Sequence, residues 1–180
     1  MKIGNMVLKK TCSIYASDLH FITMTLPYIN RELESGVQVL TFLEKDASEN
    51  IKKLINNMNL NFETIEKILN INWNKTKGLQ FKENISQLEP TINNGYNSID
   101  ILVSGSNRYI NIVNEEIDFF IKNNLKIIEA NNIKINVINC FEFSKNNDIN
   151  QILKKHEYIL DTVGEKLIEE ENDIMYKKAN

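Results

Sequence analysis

Two hydrophobic periods alternate along the chain: short runs dense in Ile, Val and Leu, and longer segments whose apolar residues recur every three or four positions. Cys12-Ser13-Ile14-Tyr15-Ala16 is a short, partly β-branched run that stops at Ser17-Asp18, the pattern of a buried strand followed by a helix N-cap. Leu19, Ile22, Leu26, Ile29 and Leu33 then line one face of a helix ending near Gly36, with a kink expected at Pro27. Val37 to Leu43 is apolar on both faces, as in a covered parallel sheet, and a helix over Ala47 to Asn57 follows. Leu69, Ile71 and Trp73 alternate with Asn70, Asn72 and Asn74, which predicts a half-exposed strand. A weakly patterned helix carrying Pro90 is expected around Ile85 to Ile92.

The second half repeats the pattern. Ile99 to Val103 is a strand running into Ser104-Gly105-Ser106, and Tyr109, Val113, Ile117, Phe120 and Ile121 mark a long helix reaching toward Ile128. Ile133 to Cys140 forms a further strand, Asp148 to Lys155 a short helix, and His156 to Leu160 another apolar run. Buried strands alternating with amphipathic helices predict a three-layer α/β domain, its mainly parallel sheet containing the strands near Cys12, Val37, Ile99 and Ile133. The domain is expected to occupy residues 1–165, with an acidic tail or docking helix over 166–180.

Composition narrows the partners. Lys and Arg number 21 against 24 Asp and Glu, a net charge of −3 that lacks the basic excess phosphate neutralisation requires, so no direct nucleic-acid binding is expected. Two distant cysteines among 180 residues exclude a disulfide framework and fit a reducing cytoplasm. The apolar runs fall far short of the ~20 residues that span a bilayer, and the first residues resemble no targeting signal, so the expectation is a cytoplasmic chain with no membrane partner. Asn, Ile and Lys crowd the sequence and Arg occurs only at Arg31 and Arg108, the mark of an AT-rich bacterial coding bias.

The chemistry is defined first by what is missing. An ATPase of this architecture carries G-x-x-x-x-G-K-[ST] between first strand and first helix, because bare amides and a Lys must meet the phosphates. Here that junction reads Tyr15-Ala16-Ser17-Asp18-Leu19-His20, with neither Gly nor Lys. G-x-S-x-G, H-E-x-x-H and C-x-x-C are absent too, so no enzyme activity and no cofactor are expected. Cys12, His20, Cys140 and His156 suffice in number for a metal but show no ligand spacing, and packing roles compete with that reading. Ligands of open parallel sheets bind beyond the strand carboxyl ends. Those ends present Tyr15, Ser17, Glu44, Ser104, Ser106, Arg108, Cys140 and Phe141, an expected ligand-binding group within which Gly105 permits close approach and Arg108 can meet an anion at a helix N-terminus. The competing reading makes Ser106 a helix cap, pairs Arg108 with a carboxylate and packs Cys140 in the core.

The opening strand Thr11-Cys12-Ser13-Ile14-Tyr15, the helix with Leu26-Pro27-Tyr28-Ile29, Gly36 and the strand from Val37 to Leu43 together resemble the first βαβ unit of the MEDS domain, the methanogen/methylotroph sensory domain. The strand ending in Cys140, the helix over Ile149 to Lys155 and the run from His156 to Leu160 are similar to its closing pattern. The resemblance implies a RecA-like and KaiC-like fold without a working phosphate loop, and a small, largely apolar ligand. Lys10 and Thr11 stand where that family often has a His, Glu142 replaces an aromatic, and Glu157 replaces a Pro. Glu44 stands where RecA-like ATPases keep a water-activating carboxylate. The expected function is a non-enzymatic sensory or signalling domain; the alternatives are an interaction module that antagonises a regulator, or an ATPase-like protein. The stretch after His156 is too short for an output domain, so a regulatory protein partner or self-association is expected.

Overall fold

The computed structural model describes residues 2–3, 6–57, 60–76, 83, 86, 88, 90, 95–143, 148–161 and 163–168. Strands β1 (Lys2–Ile3) and β2 (Met6–Tyr15) lead into helix α1 (Asp18–Glu34) and strand β3 (Gln38–Leu43). Helices α2 (Ser48–Ile55) and α3 (Phe62–Asn70) follow, then strand β4 (Ser98–Gly105), helices α4 (Asn107–Asn123) and α5 (Leu125–Ala130), and strand β5 (Lys134–Glu142). The chain continues through α6 (Ile149–Lys154), β6 (Tyr158–Asp161) and β7 (Gly164–Leu167). The main sheet has the order β3-β4-β5-β2-β6-β7. Strands β2 to β6 are mutually parallel; β7 is antiparallel to β6, and β1 is antiparallel to β2.

The alternation of side chains along each strand divides the core in two. On one face Leu102, Ile138 and Leu160 pack with Phe21, Ile22, Leu26 and Ile29 of α1, Ile51 of α2 and Ile68 of α3. On the other, Phe42, Ile101, Val103 and Val137 pack under Ile110, Val113 and Ile117 of α4. Each fully buried Ile or Leu contributes roughly 1.5–3 kcal/mol of hydrophobic stabilisation. The three-layer α/β domain with a mainly parallel sheet is therefore the observed architecture, with the expected strands all in one sheet.

Caps set the helix starts. Ser17 caps α1 by accepting from the His20 amide at 3.2 Å, Ser106 caps α4 through Tyr109 at 3.3 Å, and Asp148 caps α6 through Gln151 at 3.2 Å. Helix α1 continues through Pro27 to Glu34.

Several elements depart from the sequence reading. Leu69 and Asn70 end α3, and 71–74 is an irregular segment rather than a strand. The Trp73 indole donates to the Ile68 carbonyl at 2.8 Å, and Asn72 accepts from the Asn74 amide at 3.2 Å, so the alternation reflects a helix end and an Asx turn. The long helix breaks at Asn124, whose side chain donates to the Phe120 carbonyl at 3.0 Å and closes α4. Strand β7 crosses the expected boundary at residue 165, with Lys166 and Leu167 paired to Ile159 and Tyr158. The helix expected over 85–92 is represented by helical residues 86, 88 and 90, and the acidic tail at 169–173 lies outside the described residues.

Candidate functional site

The parallel strands deliver their carboxyl ends to one edge, as expected. Ser104 lies in register with Cys140, and Cys140 with Ser13. The Ser104 hydroxyl donates to the Tyr15 phenol at 3.1 Å, linking β4 to β2 across the intervening β5. Tyr15 also packs on Phe21, ring centroids 5.2 Å apart. Beneath this bridge Cys140 has no exposed surface, and burial raises both its thiol pKa and the Tyr15 phenol pKa above their usual values. Phe141 projects to the opposite face, where its ring meets His156 edge-on at 5.8 Å. The expected pocket joining Cys140, Ser104, Tyr15 and Phe141 is thus corrected: the first three form a packed corner, and strand alternation sends Phe141 to the other side.

The anion position at the start of α4 is held by the chain's own carboxylate. Glu44 accepts from the Ser106 amide at 2.5 Å and from the Ser106 hydroxyl at 3.0 Å, while its own amide donates to the Ser104 carbonyl at 2.9 Å. Gly105 makes this approach possible, because a Cβ there would lie 2.6 Å from both Glu44 Cβ and Glu44 Oε2. Arg108 is exposed on the first turn. A matching closure occurs before α1: the Ala16 amide donates to His20 Nδ1 at 3.1 Å, and Ser17 takes the His20 amide. At these two helix starts the amides of Ala16, His20, Ser106 and Tyr109 already have intramolecular acceptors.

The four metal candidates do not converge. Cys12 and Cys140 are fully buried on opposite faces of the sheet, with burial pushing the Cys12 thiol up to about 12. His20 stands at the start of α1 and His156 just before β6. Among the described residues no group of three or more His, Cys, Asp or Glu is placed to hold a metal.

The roomiest concavity among the cavities described is a cleft of about 600 Å³ between α4 and α6, over the carboxyl half of β5. Asn107, Asn111 and Asn114 face it from α4, a spacing of four and three residues that places them on one helix face. Asn139 and Phe141 of β5 contribute from the sheet, Gln151 from α6, and His156 from the segment before β6. Lys10 and Asp118, also at the cleft, form an ion pair at 3.7 Å. His156 Nδ1 lies 2.7 Å from the Ile152 carbonyl and so carries the proton; Nε2, now an acceptor, takes the Asn139 amide at 3.0 Å. That chain of donors orients the Asn139 carboxamide and leaves its Oδ1, at a residue 1% exposed, without a partner among the described residues. Burial lowers the His156 pKa and keeps the imidazole neutral near pH 7. Of the sequence-derived ligand group only Phe141 lines this cleft, joined by the metal candidate His156. The missed signal was the Asn107, Asn111, Asn114 spacing.

The opposite edge of the sheet holds a buried polar network. Tyr28 donates to Asp100 at 2.6 Å and accepts from Asn136 at 3.0 Å, and Thr11 reaches both Asn136 and Glu165. Glu165 also pairs with Lys9, whose ammonium sits 4.2 Å from the Tyr158 ring centroid. A cavity of about 170 Å³ adjoins this network.

The domain is of the three-layer α/β class with a mainly parallel sheet. The crystal structure of the RadB recombinase is similar to it, with 17% sequence identity and a TM-score of 0.47, covering 84% of this chain and 72% of that one. A likeness at this level carries nothing about what the present chain binds or does. No protein-family model and no curated protein matches the sequence. No helix among the described residues is long and apolar enough to cross a membrane.

Proposed function

We propose that this chain is a non-enzymatic regulatory domain of the sensory kind, similar to the MEDS domain, which binds a small molecule and passes its state to a partner chain or a second copy of itself. The observation that carries this reading is the contrast between two places in the same fold. Where a nucleotide would need free amides, Ser17, His20 and Glu44 occupy them from within; between α4 and α6 a cleft of ligand size lies over a buried, unpartnered acceptor. The carboxamide and charged lining favours a polar guest over the largely apolar one that the resemblance implies.

Ile112 and Phe119 are exposed on α4, 49% and 64% respectively, on the same helix that walls the cleft. A partner resting on that helix would feel a ligand beneath it, which favours a binding and relay role over a ligand-free interaction module. The test is phosphate release from MgATP by the wild type and by Glu44→Gln. The expected result is no turnover by either; turnover abolished by Glu44→Gln would establish the ATPase-like alternative and overturn the proposal.

A further inference from the structure

We infer that the α4–α6 cleft binds a neutral, hydroxyl-rich molecule of about monosaccharide size, held by a row of carboxamides with Asn139 at its floor. The inference deepens the small-molecule reading and rests on it for the choice of site.

Three features define the guest. The first is the hydrogen-bonding character of the walls. Asn107, Asn111, Asn114 and Gln151 each offer a donor and an acceptor side by side. Hydroxyl groups donate and accept at once, so a ring bearing several of them matches such a surface, whereas an aliphatic guest would leave the amides unpaired. At the floor the polarity is more restricted: the Asn139 amide is committed to His156, and Oδ1 can only accept. A guest must therefore bring a hydrogen-bond donor to that point, and the gain is large because the acceptor is already desolvated.

The second feature is charge. Lys10 and Lys155 are balanced by Glu115, Asp118 and Asp148, with Lys10 already paired to Asp118. Nothing in the lining concentrates one sign, as recognition of a phosphate or of a polycation requires. The neutral His156 adds an imidazole rather than a cation. The third is size. A cleft of about 600 Å³ falls within the range of small-molecule sites and leaves room for a single sugar ring and its bound water.

The experiment is amide-detected NMR of the full chain with D-glucose, D-galactose, D-mannose, D-ribose and myo-inositol, each titrated into the millimolar range. At least one is expected to shift resonances of Asn111, Asn139 and His156 and to leave those of α2 unmoved. Asn139→Leu should weaken its binding by roughly tenfold or more, the loss expected for one buried hydrogen bond. Asn111→Ala, an exposed helix-surface change that preserves folding, should weaken it several-fold. The inference is overturned if no member of the panel shifts the cleft, or if binding survives both substitutions unchanged. Tighter binding of D-glucose 6-phosphate than of D-glucose would also overturn it. Any of these failures leaves the regulatory reading standing, since that reading fails on a different result, MgATP turnover abolished by Glu44→Gln.

Discussion

Removing the charge of Asp100 should stabilise the protein, and by an amount that depends on pH. Asp100 lies on β4, 3% exposed, with Tyr28 donating to it. Burial pushes its carboxyl up from 3.8 to about 6, with Tyr28 opposing, Glu32 and Glu165 adding to the rise, and Lys9 countering them. At about 1.4 kcal/mol per pH unit, that difference is a penalty of about 3 kcal/mol on the ionised folded state. Between pH 3.8 and about 6 the folded state binds more protons than the unfolded one, so the Asp100 contribution falls as pH rises through that window. Above it the full penalty remains. Asp100→Asn mimics the protonated acid and keeps an oxygen for Tyr28, but introduces an amide that needs its own partner, at about 1 kcal/mol. The variant should therefore be less stable than the wild type by up to about 1 kcal/mol near pH 4 and exceed it by about 2 kcal/mol at pH 7. Urea unfolding of both proteins across this range measures the difference directly. His156 titrates with the opposite sign, because its lowered folded pKa favours folding as pH rises toward 6.5, but it is common to both proteins and cancels. A difference independent of pH, or a variant less stable at pH 7, would refute the reasoning.

Gly105→Ala should destabilise the domain by about 1–3 kcal/mol, read as a lower urea midpoint, because the new Cβ would collide with the Glu44 Cβ as well as with its carboxylate, and swinging the carboxylate away relieves only the second clash. Neither Cys12 nor Cys140 should react with an aromatic disulfide reagent in the native state, and both should react in denaturant; native labelling faster than global unfolding would contradict their burial. Asn139→Leu should change the urea unfolding free energy of the unliganded protein by less than about 1 kcal/mol, because losing the buried Oδ1, which lacks a partner among the described residues, offsets losing the donor to His156 Nε2; a loss of several kcal/mol would contradict that balance.

Most of the sheet was legible because its strands are buried on both faces, and runs such as Ile99 to Val103 carry that requirement in their composition. Ser17 and Ser106 were legible as caps for an equally local reason. Strand β2 was read too short: Lys9 and Lys10 interrupt its apolar pattern, and only the fold supplies Glu165 and Asp118 to pair with them. Strand β7 was missed because Gly164 to Leu167 has little apolar density; Asp161, accepting from the Val163 and Gly164 amides at 2.7 and 3.0 Å, sets the turn that brings it back. Of the carboxyl-edge group, Tyr15, Ser104 and Cys140 are buried together while Ser17 and Arg108 are exposed. Whether Glu44 faces a ligand or caps α4 depends on a contact between residues 62 positions apart, which periodicity does not encode. The cleft depends in the same way on α4 and α6 flanking β5. Its asparagines were visible as letters and were absorbed into a compositional bias.

The central claim is that the starts of α1 and α4 are closed to phosphates by the chain's own side chains and that the proposed ligand site is the α4–α6 cleft. Its most direct test is the backbone amide NMR spectrum of the wild type under saturating MgATP. The account predicts no shift at Ala16, His20 and Tyr109, whose amides already have local acceptors, and none at Ser106, which is bound to Glu44. Concerted shifts of those four residues, with displacement of the Glu44 carboxylate from Ser106, would contradict it.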